Sequence, residues 1–114
     1  MPVPVHAARR RERGFDQAEL LARVVGAELG LRVVAGLERA AHTAAQHALG
    51  RQARAGNVGR AFAVPAPQHS QVRGRWVILV DDVVTTGATM SACALALRQA
   101  GAAAVSGLAL ARER

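Results

Sequence analysis

The clearest hydrophobic patterning lies in the last third of the chain. Val77, Ile78, Leu79 and Val80 run without a polar interruption, which predicts a strand over 76–80 buried on both faces, as in parallel sheets. Asp81 and Asp82 end that run and open a loop over 81–87. From Ala88 to Ala100 the pattern is helical, with Met90, Leu95 and Leu97 expected in the core and Gly101 as the stop. A last strand is expected from Ala103 to Leu110.

Upstream, Leu20, Leu21, Val24, Val25 and Leu29 form an apolar stripe at helical spacing. Asp16 as N-cap, Glu19 three positions on and Gly30 past the end bound a helix over 16–29. Residues 3–5, 31–35 and 61–64 read as further strands, the last ended by Pro65 and Pro67, and 65–75 as a polar turn region. Residues 38–60 carry no sustained stripe and read as a connection. The order βαβ…ββαβ, with strands of the buried type, predicts an α/β fold: an open parallel sheet with flanking helices, in a single domain over 1–114.

Composition narrows the function classes. Of the 114 residues 51% are hydrophobic, yet no apolar run approaches the ~18–20 residues of a membrane span. The start has no apolar segment ahead of its arginines, so it does not read as a secretory signal, and a cytoplasmic protein is expected. A lone Cys93 excludes an internal disulfide and a cysteine-based zinc site. The net charge is +7 and every Lys-or-Arg position is Arg. Without lysine there is neither a P-loop nor a Schiff-base enzyme. The arginine bias fits a GC-rich genome, and it also makes a surface that attracts polyanions.

The chemistry concentrates in VILVDDVVTTGATM, residues 77–90. In an open parallel sheet, ligands bind beyond the carboxyl ends of the strands. Adjacent carboxylates there can accept hydrogen bonds from a vicinal diol such as ribose, or act on a hydrated Mg²⁺. Thr85, Thr86, Gly87, Ala88 and Thr89 add hydroxyls and backbone N–H groups at a helix start, which suit a phosphate. A diol beside a phosphate describes a ribose 5-phosphate. The plainer alternative is a βα turn whose Asp and Thr only cap the helix; two carboxylates followed by TTGAT fit it poorly.

This stretch resembles the phosphoribosyl diphosphate (PRPP) motif of type I phosphoribosyltransferases. PVPVHAARRRERGFDQAELLA, the Thr43 and Gln46 region and RQARAGNVGRAF resemble the ComF family of competence-associated phosphoribosyltransferase-like proteins, over residues 2 to 112. Asp16 stands where that family usually has Asn. Many members carry a four-cysteine zinc ribbon and a helical segment before PVP; these 114 residues include neither, as expected of a short member or of one whose start is incomplete.

The resemblance implies a type I phosphoribosyltransferase-like fold with roles by position. Asp81 and Asp82 would hold the ribose hydroxyls and stabilise oxocarbenium character at the anomeric carbon, the catalytic task. Thr85, Thr86, Gly87, Ala88 and Thr89 would cradle the 5′-phosphate. His6 would lie near the pyrophosphate, and Mg²⁺ would arrive with PRPP. The 39–58 connection would match the loop that closes over the site, its Arg39, Arg51 and Arg54 neutralising pyrophosphate. Arg9, Arg10, Arg11 and Arg13 are candidates for pyrophosphate or nucleic-acid contact.

His42, His47 and His69 are scattered and read as surface residues, and no base or acceptor pocket is evident. The expected function is therefore PRPP binding in the service of single-stranded DNA handling in natural competence, with competence machinery as partner. The alternative is an active enzyme transferring ribose 5-phosphate to a nucleobase or amine. An edge strand needing protection makes a homo-oligomer plausible.

Overall fold

The computed structural model describes residues 1–4, 17–39 and 61–113. Its centre is the strand β3, Trp76–Val84, which pairs in parallel with β4, Ala104–Arg112, from Trp76↔Ala104 to Val84↔Arg112. On the other edge of β3 lies the N-terminal segment. Pro2 bridges Val80 in parallel, the Val3 N–H donates to the Val80 carbonyl at 2.8 Å, and the Val80 N–H donates to that of Met1 at 2.9 Å. β3 is thus interior to the sheet, which is why its apolar residues run without alternation.

The helix α3, Ala88–Gln99, crosses back over one face. Its Ala92, Cys93, Ala96 and Leu97 are buried in one cluster with Val77, Leu79, Phe62, Val64 and Val72. Leu95, expected in the core with Met90 and Leu97, is instead exposed, while Met90 packs at the cluster's margin. Short elements feed this cluster. β1, Glu38–Arg39, pairs antiparallel with β2, Phe62–Ala63, and a 3₁₀ turn over Ala66–Gln68 leads into the helical turn α2, His69–Val72. The polar stretch 65–75 is therefore partly helical, and Val72 at its end is fully buried.

The helix α1, Gln17–Leu29, packs against β3, but not by the expected stripe. Its buried residues are Ala18, Ala22 and Gly26, while Leu20, Val24 and Leu29 are exposed. Small side chains at i, i+4 and i+8 let the helix backbone lie close to its neighbours. A Cβ on Gly26 would meet Val33 Cγ2 at 2.7 Å and the Leu31 carbonyl oxygen at 2.9 Å. Asp16, the expected N-cap, lies outside the described residues.

Two further expectations are corrected. Residues 31–35 form no strand: the N-terminal segment occupies the edge of β3 that they would need. The central strand does not stop at Val80, because β4 continues beside it to Arg112 and holds the ladder through Val84. The β1–β2 ladder, moreover, is antiparallel and separate from the parallel pair. Among the described residues no helix is long and apolar enough to cross a membrane.

Candidate functional site

Because β3 runs on, Asp81 and Asp82 lie inside its carboxyl-terminal half, and only Thr85, Thr86 and Gly87 separate the strand from α3. The two carboxyls engage each other and the local backbone. The Asp82 N–H donates to Asp81 Oδ1 and the Val83 N–H to Asp82 Oδ1, each at 2.9 Å. Neighbouring side chains in an ideal strand point to opposite faces; here the Asp81 carboxyl folds back on the backbone of Asp82.

Both carboxyls are half-buried. Burial, then the side-chain hydrogen bond to Asp82, pushes the Asp81 carboxyl up from 3.8 to about 6, and the charge of Asp82 adds to this. The Asp82 N–H and the Arg39 guanidinium pull the other way. Arg39 is held nearby: its Nε donates to the Pro4 carbonyl at 3.1 Å, and its guanidinium carbon sits 4.9 Å from the centre of the Phe62 ring. Among the described residues, Arg39 is thus the candidate arginine whose charge reaches Asp81.

The turn that follows is open. Thr85, Thr86 and Thr89 are exposed, and Gly87 adopts φ +86, the left-handed conformation that glycine takes without cost. The Thr86 hydroxyl accepts the Ala88 N–H at 3.2 Å, although the N-cap position itself is Gly87, which offers no side-chain cap. Thr85 and Thr86 face Arg112 and Glu113 across an open cleft of about 630 Å³.

Arg112 is a cation the sequence reading missed. Its signal was the register, since pairing with Val84 places it beside the threonines. His69 is occupied structurally, its Nε2 donating to the Val64 carbonyl at 2.9 Å. His6, Arg9, Arg10, Arg11, Arg13, Arg51 and Arg54, like His42 and His47, lie outside the described residues.

Among the described residues no three His, Cys, Asp or Glu side chains gather into a metal cage. The Asp81–Asp82 pair supplies hard oxygen donors. These suit Mg²⁺ that keeps water and takes its other oxygens from a phosphate ligand.

The parallel pair, the helices and the carboxylate–threonine turn at the strand's carboxyl end make this a protein of the mixed α/β class, whose ligand sites lie beyond the carboxyl ends of the strands. The family model for the phosphoribosyl transferase domain matches residues 12–114, and the chain belongs to that family, in its ComF branch.

"DNA utilization protein YhgH" of Escherichia coli (strain K12) is 38% identical over 104 residues, covering 90% of this chain and 44% of the relative. The Salmonella typhimurium protein of the same name matches equally, at 38% over 104 residues. "Competence protein F" of Haemophilus influenzae is 34% identical over 113 residues, covering 98% of this chain and 49% of its own. The chain spans about half the length of these curated relatives. No solved structure matches it significantly.

Proposed function

We propose that the chain binds PRPP with Mg²⁺ at the carboxyl end of β3 and serves single-stranded DNA handling in natural competence. The observation that carries the first part is the pair Asp81–Asp82, hydrogen-bonded at the strand's end and followed within a few residues by an exposed threonine turn. The carboxylates accept the two ribose hydroxyls. Thr85, Thr86, Gly87, Ala88 and Thr89 take the 5′-phosphate, with Arg112 as a nearby cation. Arg39 stands on the carboxylate side, where a pyrophosphate needs positive charge. Mg²⁺ would supply charge neutralisation of the diphosphate.

The second part is supported by the net charge of +7 and by the names of the relatives, which speak of DNA utilization and competence. A cytoplasmic location follows from such a role. The outer edge of β4 is unpaired among the described residues and is where a second copy would add.

The test is calorimetric titration of PRPP with and without Mg²⁺, beside the double variant Asp81→Asn/Asp82→Asn. Mg²⁺-dependent binding that the variant loses is the expected result. Equal binding by both proteins would sink the assignment. Pyrophosphate release across a panel of nucleobases and amines distinguishes a transferase from a protein that only binds.

A further inference from the structure

At the opposite, amino-terminal end of β3, between that strand and α1, lies a cavity of about 320 Å³. Its floor is apolar, built from residues such as Met1, Val33 and Ile78. Arg32, Arg75 and Gln71 also line it, with Trp76 beside them, and no carboxylate does. Arg32 donates to Gln71 Oε1 at 2.6 Å, an amide partner that leaves the cation uncompensated.

Trp76 is the unusual member. It is 69% exposed, and its Nε1 donates to Ser106 Oγ on β4 at 2.8 Å. Tryptophan rarely sits so open in a folded protein, and a ring tethered by its edge presents an apolar face to solvent.

An exposed indole between arginines matches a flat aromatic group joined to phosphate. The base stacks on the ring and the phosphates meet the guanidinium groups. The positive charge continues past the cavity. Arg73, two residues before Arg75, lies against Gly101, while Arg98, in the last turn of α3, is held by the Ala102 and Ala103 carbonyls. Arg73 beside the two arginines of the cavity favours a ligand with more than one phosphate. Trp76 is five residues from Asp81 along an extended strand, about 17 Å, so although Val80 also lines the cavity, the ring itself stands away from the carboxylate turn.

We infer that the amino-terminal end of the sheet, with Trp76 as stacking platform and Arg32 and Arg75 as phosphate contacts, is where the chain holds single-stranded nucleic acid. This rests on the DNA-handling half of the function proposed above and adds its location, away from PRPP.

The chain has one Trp and no Tyr, so its intrinsic emission reports this site alone. Titration with a 12-nucleotide oligothymidylate should quench that emission, less so as salt rises. PRPP should neither quench it nor displace the oligonucleotide. With a fluorescein-labelled strand followed by anisotropy, Trp76→Ala should weaken binding about tenfold or more, and Trp76→Phe should keep most of it. Arg32→Ala and Arg75→Ala should each lower the salt slope by about one.

Strand binding without any change in Trp76 emission, or unaltered by Trp76→Ala, would overturn the location and leave the proposed function standing. Displacement by PRPP would do the same. Thymidine monophosphate binding as tightly as the 12-mer would make this a mononucleotide pocket and overturn the single-strand assignment. Self-association that shields Trp76 and excludes the strand would overturn it as well. Absence of any strand binding would remove this inference together with the DNA-handling role, while PRPP calorimetry tests the other half separately.

Discussion

Replacing Asp81 with asparagine should stabilise the protein at neutral pH and leave it unchanged in acid. The folded state raises this carboxyl from 3.8 to about 6, chiefly by burial and by its bond to Asp82. A group whose folded value lies above its unfolded one binds its proton more tightly when folded. Its contribution is fully present below pH ~4 and is lost as pH rises through about 6. Above that, folding carries the cost of an ionised, half-buried carboxylate beside another. Taken at ~1.4 kcal/mol per pH unit, the difference would be ~3 kcal/mol. Solvent reaches roughly half of the group, and screening reduces the expected cost to about 1 kcal/mol.

Asparagine is isosteric: its Oδ1 still accepts the Asp82 N–H, and its amide still donates to Asp82. Urea unfolding of wild type and Asp81→Asn from pH 4 to pH 8 measures the effect. The two midpoints should coincide near pH 4 and separate through pH 5–6, with the variant about 1 kcal/mol more stable at pH 7. A variant equally or less stable at pH 7, or a gap that does not change with pH, would refute the account of the carboxyl pair.

Cys93 is fully buried beneath α3 and its thiol is pushed up to about 12 by that burial, so a disulfide reagent at pH 8 should label it only at the rate of unfolding; rapid labelling would mean that α3 is not packed as described. Gly26→Ala should lower stability by about 1–2 kcal/mol in urea titration, since the clash with Val33 and the Leu31 carbonyl outweighs the gain in helix propensity. Gly87→Ala meets nothing within 4 Å, so a cost of ~1–2 kcal/mol should come from its φ of +86 alone, read by the same titration. Arg112→Ala should weaken PRPP binding about tenfold by calorimetry with little loss of stability, because the side chain is exposed.

The carboxyl end of the sheet was legible in the sequence because its signals are local. An apolar run marks β3, a glycine fixes the turn and small apolar residues mark α3, so VILVDDVVTTGATM carries its own geometry. What could not be read depends on partners distant in the chain. Residues 31–35 have strand composition but no free edge, because Met1 to Val3 take it. The end of β3 is set by the length of β4, not by its own charges. On α1 the large residues dominate the periodic pattern, but Ala18, Ala22 and Gly26 face the protein, since close approach selects for small size. Arg112 and the Trp76 cavity emerge only from register and from the packing of α1 on β3.

The departures from ordinary folding rules gather in two places. At one end of β3 a carboxylate is held above its usual range and a backbone adopts a left-handed turn. At the other an indole is tethered in solvent among unneutralised arginines. Neither arrangement serves the core, whose buried cluster contains no charged side chain. Both become favourable when a ligand arrives. On the proposed readings, two sugar hydroxyls would donate to the carboxylates and offset their repulsion, and a base would cover the indole while phosphates neutralise the arginines. Local inconsistency of this kind is expected where a sequence has been shaped by binding and not by stability alone. If both proposals hold, the sugar phosphate at the carboxylate turn and the nucleic acid at Trp76 would be held on one strand by different side chains.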